Sequence, residues 1–103
     1  MNLIEQHKNE IIALCIKYKV NELYVFGSVL TEKFNESSDI DILLQFNGVD
    51  LYHYFDNYMD FKENMETLLK RKIDIVEKQA VRNPVFLQII NRDKQLVYER
   101  KSA

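Results

Sequence analysis

Gly27-Ser28 and Asp39-Ile-Asp41 stand ten residues apart, and a further aspartate, Asp74, is set between isoleucines in Ile73-Asp-Ile75. These residue types handle phosphates and metals. A glycine lets backbone approach an anion closely, a hydroxyl donates to it, and carboxylates offer hard oxygen to divalent cations. Asp39 and Asp41, two apart on a strand, project from the same face. Asp74, on a neighbouring strand, can join that face. Ionised carboxylates drawn this close repel, at on the order of 4 kcal/mol per pair for ~4 Å and an effective dielectric of roughly 20. Such a cluster calls for partial protonation or divalent cations. Magnesium suits it, because it takes oxygen ligands and keeps positions open for water and phosphate.

The elements that position these residues can be read around them. Leu23-Tyr-Val-Phe26 is rich in β-favouring side chains and predicts the strand that delivers Gly27 and Ser28 to a turn. Ser28 stands at an N-cap position, with Val29–Phe34 expected as a two-turn helix. Asn35–Ser38 is a polar loop, and Asp39–Phe46 the second strand, apolar on both faces beyond its first residues as a central strand should be. Residues 3–18 show helical spacing, with Asn2 and Glu5 placed for a capping box, and Lys19-Val-Asn21 reads as the turn that follows. Asp50 is placed to cap a long helix over Leu51–Lys70. Its stripe, broadly apolar, is read at Leu51, Tyr54, Phe55, Tyr58, Met59, Lys62, Met65, Leu68 and Leu69, with Lys70-Arg-Lys72 complementing the dipole at its end. Ile73–Glu77 predicts a third strand, Pro84 the opening of a helix over Val85–Asn91, and Leu96–Tyr98 a short edge strand. Alternating strands and helices imply an α/β (or α+β) layer architecture, a sheet with helices packed on it. With no linker or repeat, residues 1–103 read as one domain.

Composition narrows the functions. With 47% hydrophobic residues, two glycines and one proline, a packed fold is expected. A net charge of −2 argues against strong nucleic-acid binding, which needs a basic surface. No run approaches the ~20 apolar residues of a membrane span, and the N-terminus has no signal-peptide pattern. The single cysteine, Cys15, forms no internal disulfide and suits a reducing, cytoplasmic setting. It is expected to pack as a small apolar side chain. His7 and His53 have no partners for a zinc site and read as surface or packing residues. Tyr52, Tyr54, Phe55 and Tyr58 have helical spacing, which favours core packing or a partner interface over base stacking.

Gly-Ser, ten residues, Asp-x-Asp, and a later strand aspartate resemble the signature of the DNA polymerase β-like nucleotidyltransferase superfamily. The small size resembles its minimal nucleotidyltransferase branch, the MNT antitoxins that accompany HEPN-domain toxins. The resemblance implies the nucleotidyltransferase fold, a small mixed sheet with helices on one side. It implies that Asp39, Asp41 and Asp74 are catalytic and hold Mg²⁺ in a two-metal site, with Asp74 a candidate base toward the attacking hydroxyl. It also implies that Gly27 and Ser28 bind the nucleotide, with ATP as donor. The implied function is Mg²⁺-dependent transfer of AMP to a hydroxyl, a tyrosine in particular, of a partner HEPN-domain toxin. Homo- or hetero-oligomers would complete the acceptor pocket. Many members of that branch read Gly-Ser-x-Ala-Arg-Gly, whereas here Val29-Leu-Thr-Glu32 follows the serine, without arginine. Lys33, Lys72, Lys78 and Arg82 are the candidates to supply the missing charge, weighed against plain solvated surface. A second expectation therefore stands beside the first: a catalytically weak or inactive antitoxin or regulatory subunit that neutralises its partner by complex formation.

Overall fold

A computed structural model describes residues 3–100. In chain order it contains helices α1 (Leu3–Gln6) and α2 (Lys8–Lys17), strand β1 (Val20–Phe26), a 3₁₀ turn at Gly27–Leu30, and strand β2 (Ile40–Phe46). A 3₁₀ turn at Leu51–His53 leads into α3 (Tyr54–Leu69), followed by β3 (Ile73–Glu77), α4 (Pro84–Asp93) and β4 (Gln95–Glu99). The strands form a mixed sheet of order β3-β2-β1-β4, with β1 antiparallel to both neighbours and β2 parallel to β3. Among the described residues no helix is long and apolar enough to cross a membrane.

β2 is the spine of this sheet. Ile40, Ile42, Leu44 and Phe46 alternate onto one face, where they join Ile11, Cys15, Leu23, Val25, Phe61, Met65 and Ile73 in the main core. Phe46 meets the rings of Tyr54, Phe61 and Tyr58 edge-on at 5.7, 5.9 and 6.4 Å, which locks α3 over the sheet. Each large side chain buried there contributes roughly 1.5–3 kcal/mol by leaving water. Leu43 is fully buried yet outside this cluster, as is Ile90 of α4. Alternation points Leu43 to the opposite face. Glu22 and Tyr24 share that face; Lys78 bonds Glu22 at 2.6 Å, and the Lys94 ammonium lies 4.1 Å over the Tyr24 ring. The connection carrying α4 thus crosses the side opposite α2 and α3, so helices do not lie on one side only.

Several local expectations are revised. The helix over 3–18 is broken at His7, which takes a non-helical conformation and sets its Nδ1 3.0 Å from the Leu3 carbonyl. Asn2, the expected capping residue, lies outside the described residues. The turn after α2 is made by Tyr18 and Lys19, the latter with φ 62°, since Val20 is already a buried strand residue. Val29–Phe34 is not a two-turn helix and Ser28 caps nothing. Thr31 adopts extended backbone, and its Oγ1 donates to the Ser28 carbonyl at 2.9 Å and accepts from the Lys33 amide at 3.2 Å, diverting the chain from helix. In α3 the buried stripe runs through Phe61, Met65 and Leu69; Leu51 and Phe55 face outward. Asp50 caps the 3₁₀ turn that leads into α3 and not α3 itself. Pro84 opening α4, strand β3, and the edge position of β4 are as expected, and Asn83 supplies α4 with a cap beyond those expected.

Candidate active site

The antiparallel register pairs Phe26 with Asp41, and the parallel register pairs Asp41 with Asp74. The end of β1 and the starts of β2 and β3 therefore meet at one edge of the sheet, and the expected site residues meet with them. Asp41 is half-buried at the centre, between Gly27 on one side and Asp74 on the other. Gly27 has φ 79°, and a Cβ built on it would stand 2.4 Å from Asp41 Oδ2. That position needs glycine twice over, for its left-handed backbone and for the carboxylate beside it. Ser28 is half-buried in the same turn, and among the described residues its hydroxyl makes no hydrogen bond.

The electrostatics centre on Asp41. Burial raises its carboxyl above the usual carboxylate range, and the charges of Asp74 and Asp39 raise it further, together with a side-chain hydrogen bond to Asp74. Asp39 and Asp74 are exposed. The structure thus brings Asp41 and Asp74 into contact and leaves Asp39 acting on Asp41 through its charge. Among the described residues no three His, Cys, Asp or Glu side chains close into a ready-made metal-binding group.

The basic residues divide. Lys78 lies at the far end of the sheet, paired with Glu22, and is removed from the carboxylates. Lys72 stands at the site's border, where its carbonyl accepts from the Ile40 amide at 2.9 Å. Arg71, read from sequence only as part of a helix-terminal basic triplet, donates from Nη1 to the carbonyls of Asn35 at 2.5 Å and Ser38 at 3.2 Å. No sequence signal distinguishes it from its neighbours Lys70 and Lys72. Of the aromatic group, Tyr54 and Tyr58 pack on Phe46, and Tyr54 also donates its hydroxyl to Glu77. Tyr52 and Phe55 are exposed. A groove of about 640 Å³ lies against the other side of the 27–30 turn, lined by Val25, Val29, Leu30 and Val97 among others, and includes none of the three aspartates.

Residues 9–103 match the polymerase beta nucleotidyltransferase family. A Methanocaldococcus jannaschii chain named as a candidate protein adenylyltransferase is 33% identical over 96 residues, covering 93% of this chain and 90% of that one. A solved structure described as a candidate minimal nucleotidyltransferase superposes with a TM-score of 0.73 at 26% identity, covering 92% of this chain and 95% of that one. The antitoxin fold in a complex of tri-AMPylated Shewanella oneidensis HEPN toxin with MNT antitoxin is also shared, with a TM-score of 0.64 at 20% identity over 93% of this chain and 72% of that one. The chain therefore belongs to the polymerase beta nucleotidyltransferase family, as a small nucleotidyltransferase of the group whose relatives are named for protein adenylyl transfer.

Proposed function

We propose that this protein transfers AMP from ATP to a hydroxyl, a tyrosine in particular, on a partner HEPN-domain toxin and so neutralises it. The observation that carries the reading is Asp41, half-buried in register with Asp74 and against Gly27, in a chain 33% identical over 96 residues to a relative named as a candidate protein adenylyltransferase. The choice of a HEPN-domain partner is supported by the complex of HEPN toxin with MNT antitoxin, whose antitoxin shares this fold.

The donor set is all carboxylate oxygen, and Asp41 is held where two neighbouring carboxylates and burial disfavour its charge. That is a fit for a hard divalent cation, with Asp39, Asp41 and Asp74 as the residues that would hold magnesium, in one site or two. When bound, magnesium supplies positive charge to the triphosphate and to the leaving pyrophosphate. The chain's own residues do the rest. Gly27 lets the turn's backbone close against Asp41 and so approach the phosphates, and the Ser28 hydroxyl donates to a phosphate oxygen. Asp74, the exposed carboxylate next to Asp41, takes the proton from the attacking hydroxyl. The acceptor oxygen bonds to the α-phosphorus, the bond from that phosphorus to the bridging oxygen breaks, and pyrophosphate leaves. Asp41, central and half-buried, orients the cluster.

The test is incubation with ATP, magnesium and the HEPN-domain partner, read by intact mass of the partner. A partner carrying AMP with the parent protein and none with Asp39→Asn supports the reading. A partner neutralised with no mass change sinks it.

A second reading, neutralisation by complex formation alone, is favoured by Thr31 where the branch's pattern has arginine, with the acid Glu32 beside it. It is favoured also by Leu51, Tyr52 and Phe55, which are 91%, 92% and 70% exposed and form an apolar face for a partner. Neutralisation by the Asp39→Asn, Asp41→Asn double variant at parental level would select it.

A further inference from the structure

Arg71 is a charged side chain that the proposed transfer chemistry does not use. It follows Lys70, which ends α3 in a left-handed conformation with φ 55°, and precedes β3. From that turn its guanidinium reaches the 35–38 loop, where Nη1 donates to the carbonyls of Asn35 and Ser38 at 2.5 and 3.2 Å. The guanidinium also lies 4.4 Å over the ring of Phe34, which packs against the main core. Ser38 immediately precedes Asp39. On the other side of Asp39, the Ile40 amide is held by the Lys72 carbonyl at 2.9 Å. Asp39 is therefore suspended between two anchors supplied by adjacent residues, Arg71 and Lys72. Among the described residues its own carboxylate makes no hydrogen bond or ion pair. The loop's internal bonds, such as the Ser37 amide to Asn35 Oδ1 at 2.9 Å and the Asn35 amide to Ser38 Oγ at 3.1 Å, fix its shape but not its place on the sheet. Arg71 ties that shape to the lead-in of β3.

We infer that Arg71 is the positioning residue of Asp39, clamping the Ser38 carbonyl so that the Asp39 carboxylate is presented on the side of Asp41 and Asp74. The guanidinium is what the site needs, since it donates to two carbonyls while its central carbon lies 4.4 Å over an aromatic ring, a combination an ammonium does not reproduce. The catalytic consequence rests on the transfer reading above; the structural consequence stands on the loop geometry alone.

The test uses the full chain with Arg71→Ala and Arg71→Lys, reading amide exchange at Ser38 and Ile40 together with transfer to the HEPN partner. In Arg71→Ala, Ser38 exchange is expected to accelerate while the core amides of Ile42 and Leu44 keep their protection. Transfer should fall by about 10²-fold in kcat, the scale of a small misplacement of a reacting group, with a smaller change in KM for ATP. Added guanidinium should restore part of both losses, which a general structural defect would not allow. Arg71→Lys should be intermediate, and it keeps the comparison available if the alanine variant does not fold. Unchanged Ser38 exchange in either variant overturns the inference whatever the activity does. Faster exchange with a parental transfer rate overturns it too. If the parent protein itself transfers no AMP, the transfer reading has failed, and accelerated Ser38 exchange reversed by guanidinium still sustains the clamp.

Discussion

Gly27 lies so close to Asp41 that a Cβ on the glycine would stand 2.4 Å from the carboxylate's Oδ2. The turn after β1 and the carboxylate of β2 are therefore fitted to each other, and each constrains what the other position accepts. Gly27→Ala meets two penalties. The backbone cost of a left-handed alanine is about 1–2 kcal/mol, and the Asp41 side chain must move as well. A fall in Tm of at least ~4 °C is expected, with transfer reduced by about 10²-fold from the displaced carboxylate. Parental Tm and rate would show that Asp41 is not held against the turn.

Asp41 costs the protein stability in the absence of metal. Its carboxyl is raised by burial and by the charges of Asp74 and Asp39. The folded state therefore holds this proton more tightly than the unfolded state. The penalty is complete above the raised folded value and vanishes as pH falls to the ordinary carboxylate range. Asp41→Asn should accordingly raise Tm at neutral pH in metal-free buffer, with the gain shrinking as pH is lowered through that window, while transfer is lost. A lower Tm at neutral pH would show that the charged carboxylate is stabilised in the fold.

Lys78 separates stability from chemistry. It pairs at 2.6 Å with Glu22, whose side chain is only 12% exposed, at the end of the sheet away from the aspartates. Lys78→Ala leaves that carboxylate without its partner and should cost about 1–3 kcal/mol in urea unfolding. Transfer at a permissive temperature should be unchanged. A selective loss of ATP affinity in this variant would place Lys78 at the phosphates instead.

Cys15 is fully buried among Ile11 and its neighbours, and burial pushes its thiol up to about 12. The thiolate is the reactive form, so alkylation near pH 8 should proceed at the rate of unfolding and not at that of an exposed thiol. Rapid labelling of the native protein would show that α2 opens locally.

Much of the fold was legible because the signals were local. Gly27-Ser28 and Asp39-Ile-Asp41 lie at strand ends whose apolar runs are unmistakable, and Ile73–Glu77 is the third strand as expected. The register that sets Asp41 beside Asp74 is a pairing between strands, and one sequence does not print it. At Gly27–Leu30 the residue type of Ser28 points to a cap and a following helix, whereas the chain makes a 3₁₀ turn. What decided the matter was Thr31, whose hydroxyl bonds backward to Ser28 and forward to Lys33. Phe61, at the centre of the core, is absent from the expected stripe, because the buried face of α3 runs through Phe61, Met65 and Leu69 while Phe55 faces outward. Arg71 was invisible in function. Its role depends on the left-handed Lys70 and on a loop more than thirty positions away in the chain.

The most direct measurement of the central claim follows the phosphorus. The parent protein, magnesium and the HEPN-domain partner are incubated with ATP labelled at the α-phosphate or, separately, at the γ-phosphate. Attack at the α-phosphorus predicts that α-label becomes covalently bound to the partner while γ-label leaves as pyrophosphate, and that Asp39→Asn or Asp74→Asn abolishes the transfer. Covalent γ-label, or α-label transferred equally well by those variants, would contradict it.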